Sequence, residues 1–184
     1  MVANPESTSS RLLGWREWVA LPLLGVPRIK VKVDTGARSC ALHAFELEEF
    51  QRDGVRWVRF TVHPRQDSVD RSIRVECELL GERSIRSSAG QVEVRPVVRT
   101  EIQLGRLRLP VDLTLTNRDA MGFRMLLGRS AIRGRFVVDP SRSFVQGRPR
   151  SGPPRSARVR QAPTAATEPV SEPIPPATAE RTSA

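Results

Sequence analysis

An alternating run, Ile29-Lys30-Val31-Lys32-Val33, leads straight into Asp34-Thr35-Gly36-Ala37. A carboxylate fixed at the end of a strand, followed by a hydroxyl and a glycine, is what activation of a water molecule needs. The strand holds the acid still and the hydroxyl can bond neighbouring backbone. The glycine lets the chain turn while its N–H reaches back to the carboxylate. The same residue types also make an ordinary turn after a strand, so the motif alone leaves both readings open. Other chemistries have little material. There are only two cysteines, Cys40 and Cys77, and two histidines, His43 and His63, with no HExxH and no GxxxxGK[ST] loop. A zinc half-site from Cys40 and His43 would lack two ligands, so no metal and no cofactor is expected. The thiols are expected to be free, in a reducing cytoplasm.

The elements that must position Asp34 are strands. Leu107, Leu109, Val111, Leu113 and Leu115 alternate with polar residues, as do Ile73, Val75, Cys77 and Leu79, and Val92, Val94, Pro96 and Val98. Val55 and Trp57 share one phase while Val58, Phe60 and Val62 share the other, which predicts a bulge near Trp57 or a strand buried on both faces. Asp53-Gly54 suits a tight hairpin turn, and Pro96 and Pro110 belong on edges or bends. Helical signal is confined to a turn or two within 38–49 and one short turn at Arg129–Gly134. Many short strands between turn signals predict an all-β, mainly β barrel or sandwich.

Composition sets the boundaries. The chain has 184 residues with a net charge of +10, and Lys30 and Lys32 are its only lysines. No apolar run approaches the roughly 18 residues that cross a bilayer, and no secretory leader is visible, so no membrane is expected. From residue 148 onward Phe, Trp, Leu and Met vanish while proline, serine, threonine and alanine accumulate, predicting a disordered tail over 148–184. A short disordered end is expected over 1–10, leaving one domain at 11–147. The positive charge is dispersed, without a run of about five like charges, so a nucleic-acid partner is not expected. Only Arg56-Trp57-Val58-Arg59-Phe60 interleaves aromatic and basic residues, and Trp57 and Phe60 fall on opposite faces of a regular strand.

A second apolar strand, Met125-Leu126-Leu127, ends in Gly128-Arg129 and precedes the short helical turn. With Asp34-Thr35-Gly36-Ala37 upstream, the chain resembles the retropepsin-like aspartic peptidases. It is most similar to a bacterial branch labelled ATP-dependent zinc proteases and associated with ATP-grasp ligases that add glutamates to ribosomal protein. That likeness is carried by 14–22, 33–44, 95–100, 113–118 and 121–129. It implies an acid-protease barrel with one short helix and one catalytic aspartate per chain, hence a homodimer whose two Asp34 carboxylates share a proton and activate a water. Thr35 would brace the pair and Gly36 would lie beside the peptide. Ala37, Arg38 and a flap at Ile85–Val92 (Ala89, Gly90) would line the substrate site, and Gly128 and Arg129 would support the loop. Viral relatives place an acid after Asp-Thr-Gly-Ala to pair with the Gly-Arg arginine. Arg38 stands there instead, which leaves Glu93, Asp139 or a substrate as the partner of Arg129. A basic rim of Arg38, Arg86, Arg95 and Arg99 suits an acidic peptide or protein substrate. The alternative is a non-catalytic binding module of the same fold that recognises a ribosomal or glutamate-ligase partner.

Overall fold

The computed structural model describes residues 12–65, 72–86, 90–116 and 122–149. The expected disordered end 1–10 and residues 150–184 of the expected tail lie outside them. The described chain continues past residue 147, with Pro149 buried and the Arg148 guanidinium 5.9 Å from the Trp18 ring centroid.

Twelve strands and one short helix follow in order: β1 Leu12–Gly14, β2 Arg16–Leu21, β3 Val26–Val33, β4 Cys40–His43, β5 Phe45–Arg52, β6 Val55–Val62, β7 Ile73–Glu78, β8 Gly81–Arg86, β9 Val92–Leu104, β10 Leu107–Thr116, β11 Met125–Leu127, α1 Arg129–Ile132 and β12 Val137–Asp139. The main sheet runs β10-β4-β11-β3-β2-β9-β8, and a further pairing of β9 with β10 closes it into a barrel. Closure leaves β8 as the edge of this sheet. β5, β6 and β7 form a separate antiparallel meander, and β1 pairs in parallel with β12.

One core joins barrel and meander. Val19, Ile29, Val31, Leu42, Val98, Ile102, Leu113 and Leu127 from the barrel share it with Val58, Phe60, Val62 and Val75 from the meander. Alternation accounts for most of this, since on a strand residues i and i+2 face the same way. Asp53 (φ 52°) and Gly54 (φ 75°) make the tight β5–β6 turn that their residue types call for. Pro96 pairs with Glu82 and Pro110 with Glu101, each where the sheet has a neighbour on one side only.

Three expectations are corrected. Residues 38–49 hold no helix but β4 and most of β5, because Cys40, Ala41 and Leu42 are needed between β10 and β11 in the barrel wall. β6 has no bulge at Trp57: it pairs residue for residue with β7, and the register shift lies in β5, between Phe45 and Glu48, where Glu46 has φ 52°. Nor is β6 buried on both faces along its length: Val55 is exposed and Trp57 and Arg59 are half-buried, while Val58, Phe60 and Val62 are fully buried, and only at Thr61 is the other face covered. On β9 the apolar phase Val92, Val94 faces solvent, 59% and 57% exposed, whereas Arg95 is buried. Up to Pro96, β9 pairs only with β8, so this hairpin stands off the barrel and its Val92–Val94 face is left uncovered.

Candidate functional site

Asp34 follows the last residue of β3, and its N–H donates to the Leu127 carbonyl at 3.0 Å. β3 and β11 pair in parallel there, Val33 opposite Leu127, so both site motifs leave the sheet together. The loop then bends back on its own acid. Asp34 Oδ1 accepts from the Gly36 and Ala37 N–H groups, each at 3.0 Å. Among the described residues Oδ2 has no partner. Thr35 and Gly36 are exposed and Asp34 is half-buried.

The Gly-Arg turn fastens this loop. Arg129 N–H donates to the Ala37 carbonyl at 2.9 Å and Ser130 N–H to the Arg38 carbonyl at 3.0 Å. The Arg129 guanidinium donates through Nη1 to the Thr35 carbonyl at 2.9 Å and the Gly36 carbonyl at 2.7 Å. Gly128 makes that approach feasible: a Cβ there would stand 2.3 Å from the Ser39 carbonyl oxygen and 3.1 Å from that of Ala37, closer than packed atoms tolerate. Arg129 therefore pairs with neither Glu93 nor Asp139. Glu93 binds Arg95 at 2.7 Å, and Asp139 accepts from Ser141. With Arg38 replacing an acid, the guanidinium turns to the next acceptors in reach, the loop carbonyls, and fixes their orientation with a charge-assisted fork.

Beside the loop lies an open cleft of about 620 Å³, lined by Arg38, Ser39, Arg83, Arg99, Val111, Asp112 and Ser130. Asp112 holds Arg99 at 2.9 Å and lies 3.8 Å from Arg83, while Arg38 has no ion pair among the described residues. Of the expected basic rim, Arg38 and Arg99 line the cleft. Arg95 does not belong to such a rim, being buried and paired with Glu93, and Arg86 is not among the lining residues. Sequence reasoning missed Arg83 and Asp112. The cross-strand register Arg99↔Asp112 brings the acid there, a signal available only once the β9–β10 pairing is known. The β8–β9 hairpin pairs out to Arg86↔Val92. Gly90 beyond it is exposed at φ 82°, and Ala89 lies outside the described residues.

No group of three or more His, Cys, Asp or Glu among the described residues is placed to hold a metal. Cys40 and His43, three apart on β4, have separate neighbours. The Cys40 thiol lies 3.9 Å from Ser130 Oγ, and the His43 ring meets Phe45 edge-on at 4.1 Å. Burial pushes the Cys40 thiol up and the Cys77 thiol to about 12, the Glu78 charge adding to the latter. No helix among the described residues is long and apolar enough to cross a membrane.

Glu17 is another residue whose part the sequence did not disclose. Fully buried, its Oε1 accepts from Gly14 N–H at 2.7 Å and Val145 N–H at 2.9 Å, and Oε2 accepts from Gln146 N–H at 3.2 Å. This carboxylate ties the segment after β12 to the start of the chain, and through it Phe144 stacks on Trp18 with centroids 5.6 Å apart.

A closed β-barrel bearing one Asp-Thr-Gly loop, clamped by a Gly-Arg turn that opens a short α-helix, is the retropepsin-like acid-protease fold. Residues 12–149 match the model of the RimB-like family, described as retropepsin-like aspartic endopeptidase RimB, and the chain belongs to that family. Similar proteins include two named probable alpha-L-glutamate ligase. That of Parasynechococcus marenigrum is 49% identical over 140 residues, 76% of this chain and 30% of its own length. That of Shewanella halifaxensis is 48% identical over 141 residues, 77% and 31% of the respective lengths. The chain thus spans less than a third of these relatives. A crystal structure of a Legionella pneumophila protein of unknown function has a TM-score of 0.61 and 31% identity, covering 74% of this chain and 98% of that one.

Proposed function

We propose that the chain is an aspartic endopeptidase active as a homodimer, in which Asp34 of each copy contributes one carboxylate. The observation that carries this reading is the Asp34 loop itself: an acid restrained through Oδ1 by two N–H groups, on a backbone held by the Gly-Arg turn. One acid cannot both take a proton from water and give one to the peptide carbonyl. Two acids facing each other across a two-fold axis share one proton and can do both. The ionised carboxylate removes a proton from the water as its oxygen attacks the amide carbon, and the protonated partner donates to the carbonyl oxygen. Collapse of the tetrahedral intermediate then breaks the C–N bond as the leaving amine takes a proton from the dyad. The exposure of Thr35 and Gly36 in the single chain supports this, since both would be covered by the second copy and the peptide.

The arginine-lined cleft supports an acidic substrate. Three guanidiniums line it with one carboxylate, Asp112, which pairs with Arg99 and Arg83 and leaves Arg38 unpaired among the described residues. A glutamate-rich peptide would therefore meet unspent positive charge four residues from Asp34. A glutamate ligase is the partner class we favour, because in the relatives of that name a segment resembling this chain forms part of the same polypeptide. The test is cleavage of a diverse peptide pool by wild type and Asp34→Asn, with and without a chelator. Cleavage by wild type alone, indifferent to the chelator and richest at acidic peptides, is the expected result. Cleavage that survives Asp34→Asn would overturn the mechanism. Failure of both proteins to cleave, with partner binding intact, would favour the binding module.

A further inference from the structure

On the outward face of β2 and β3 five cations gather, four of them against aromatic rings from distant parts of the chain. Arg16 and Trp18 project from β2 opposite Lys32 and Lys30 of β3, with Arg28 two residues further along. Arg148 arrives from the segment that Glu17 anchors. The guanidinium of Arg28 lies 5.1 Å and the ammonium of Lys30 5.4 Å from the Trp18 ring centroid, while Arg16 lies 4.6 Å from Trp15 and 5.0 Å from Phe144.

None of these cations has a carboxylate partner among the described residues. The acid of this stretch, Glu17, points inward and is fully buried. The face of the β5–β7 meander, which contains the one aromatic-basic stretch evident in the sequence, is the opposite case. There Arg52, Arg56 and Arg59 are matched by Glu48, Glu49, Glu76 and Glu82. Arginine around aromatic rings is therefore neutralised on one surface of this molecule and left uncompensated on another. The uncompensated one also holds both lysines of the chain.

We infer that the β2–β3 face is a docking surface for single-stranded RNA. Cations spaced along two adjacent strands track a phosphate backbone, and half-buried Trp18 and Phe144 supply the π surface that sequence-tolerant single-strand binders use. An acidic protein would also answer to the charge, but gains nothing from rings interleaved with it. A membrane surface favours an apolar face to insert, and no outward position of β2 or β3 offers an aliphatic side chain larger than alanine outside Pro27.

The probe is a fluorescein-labelled 12-nucleotide oligouridylate, its anisotropy read with the full chain across a salt series. About five phosphate contacts predict a log–log salt slope near −3.5, a roughly 100-fold loss of affinity between 50 and 200 mM salt. The double variant Arg28→Gln/Lys30→Gln should flatten that slope to about −2, with peptide cleavage unchanged. Trp18→Phe, which keeps the stack on Phe144, should abolish the RNA-induced quenching of tryptophan fluorescence. Urea midpoints confirm that each variant is folded. Absence of RNA binding, or binding that ignores both variants, would overturn the inference. So would polyglutamate competing as well as RNA at equal charge, or phosphatidylserine vesicles binding where RNA does not.

Discussion

Replacing Glu17 tests how the segment after β12 is held. The carboxylate is fully buried and accepts three backbone N–H bonds, from Gly14, Val145 and Gln146. Glu17→Ala leaves three donors facing a cavity, and each buried donor without an acceptor costs ~1–3 kcal/mol. Loosening of the segment would let water reach some of them, which brings the expected loss to about 3–6 kcal/mol. That is a large share of the 5–15 kcal/mol, roughly, that holds an ordinary domain together. Glu17→Gln should cost less, about 1–3 kcal/mol, because its carbonyl oxygen can replace Oε1 toward Gly14 and Val145 while its amide meets the Gln146 N–H donor to donor. The assay is urea unfolding followed by tryptophan fluorescence, since Trp18 reports the Phe144 stack. A Glu17→Ala protein within about 1 kcal/mol of wild type, or a Gln variant worse than the Ala variant, would refute the reasoning.

Three further outcomes follow from the same geometry. Gly128→Ala should destabilise the domain by at least about 1–3 kcal/mol and depress peptide cleavage, because its Cβ meets the backbone of Ser39 and Ala37 rather than a movable side chain; thermal melting alongside peptide assays reads both. Cys40 and Cys77, with thiols raised by burial, should resist a thiol reagent at pH 8 until the protein is unfolded, and rapid native-state labelling of either would contradict the packing. Glu76 is held below the usual carboxylate range, chiefly by Arg52 and with help from Arg59, against the opposing effect of burial. Its folded value is depressed, so its contribution is present above the unfolded value of about 4.3 and is lost as pH falls through the folded one. Glu76→Gln should therefore flatten the fall of urea midpoints across that acid range, and an unchanged acid limb would count against the Arg52–Glu76–Arg59 bridge.

Much of the barrel was legible because its strands alternate. Ile29, Val31 and Val33, buried on either side of half-buried Lys30 and exposed Lys32, follow the period-two rule that burial on one face imposes. It failed where a strand leaves the barrel, as at Val92 and Val94, since periodicity records an apolar side and not whether anything covers it. The helix expected within 38–49 failed because local propensity yielded to the need for β4 in the wall. At the site, the two motifs were legible as short strings. Their joining was not, because the bonds from Arg129 to Thr35 and Gly36 cross more than ninety residues of chain. The charge pattern was read along the chain, where it looks dispersed. Only the β2–β3 pairing and the return of 144–148 gather Arg16, Arg28, Lys30, Lys32 and Arg148 on one face.

The most direct measurement of the central claim is peptide cleavage by wild type diluted with Asp34→Asn at constant total protein, the two chains unfolded and refolded together. If each site takes one aspartate from each of two copies, mixed dimers are inactive and activity follows the square of the wild-type fraction. An equal mixture then retains about one quarter of full activity. Retention of about one half, falling linearly with dilution, would mean that each chain carries a complete site and would contradict the shared Asp34 pair.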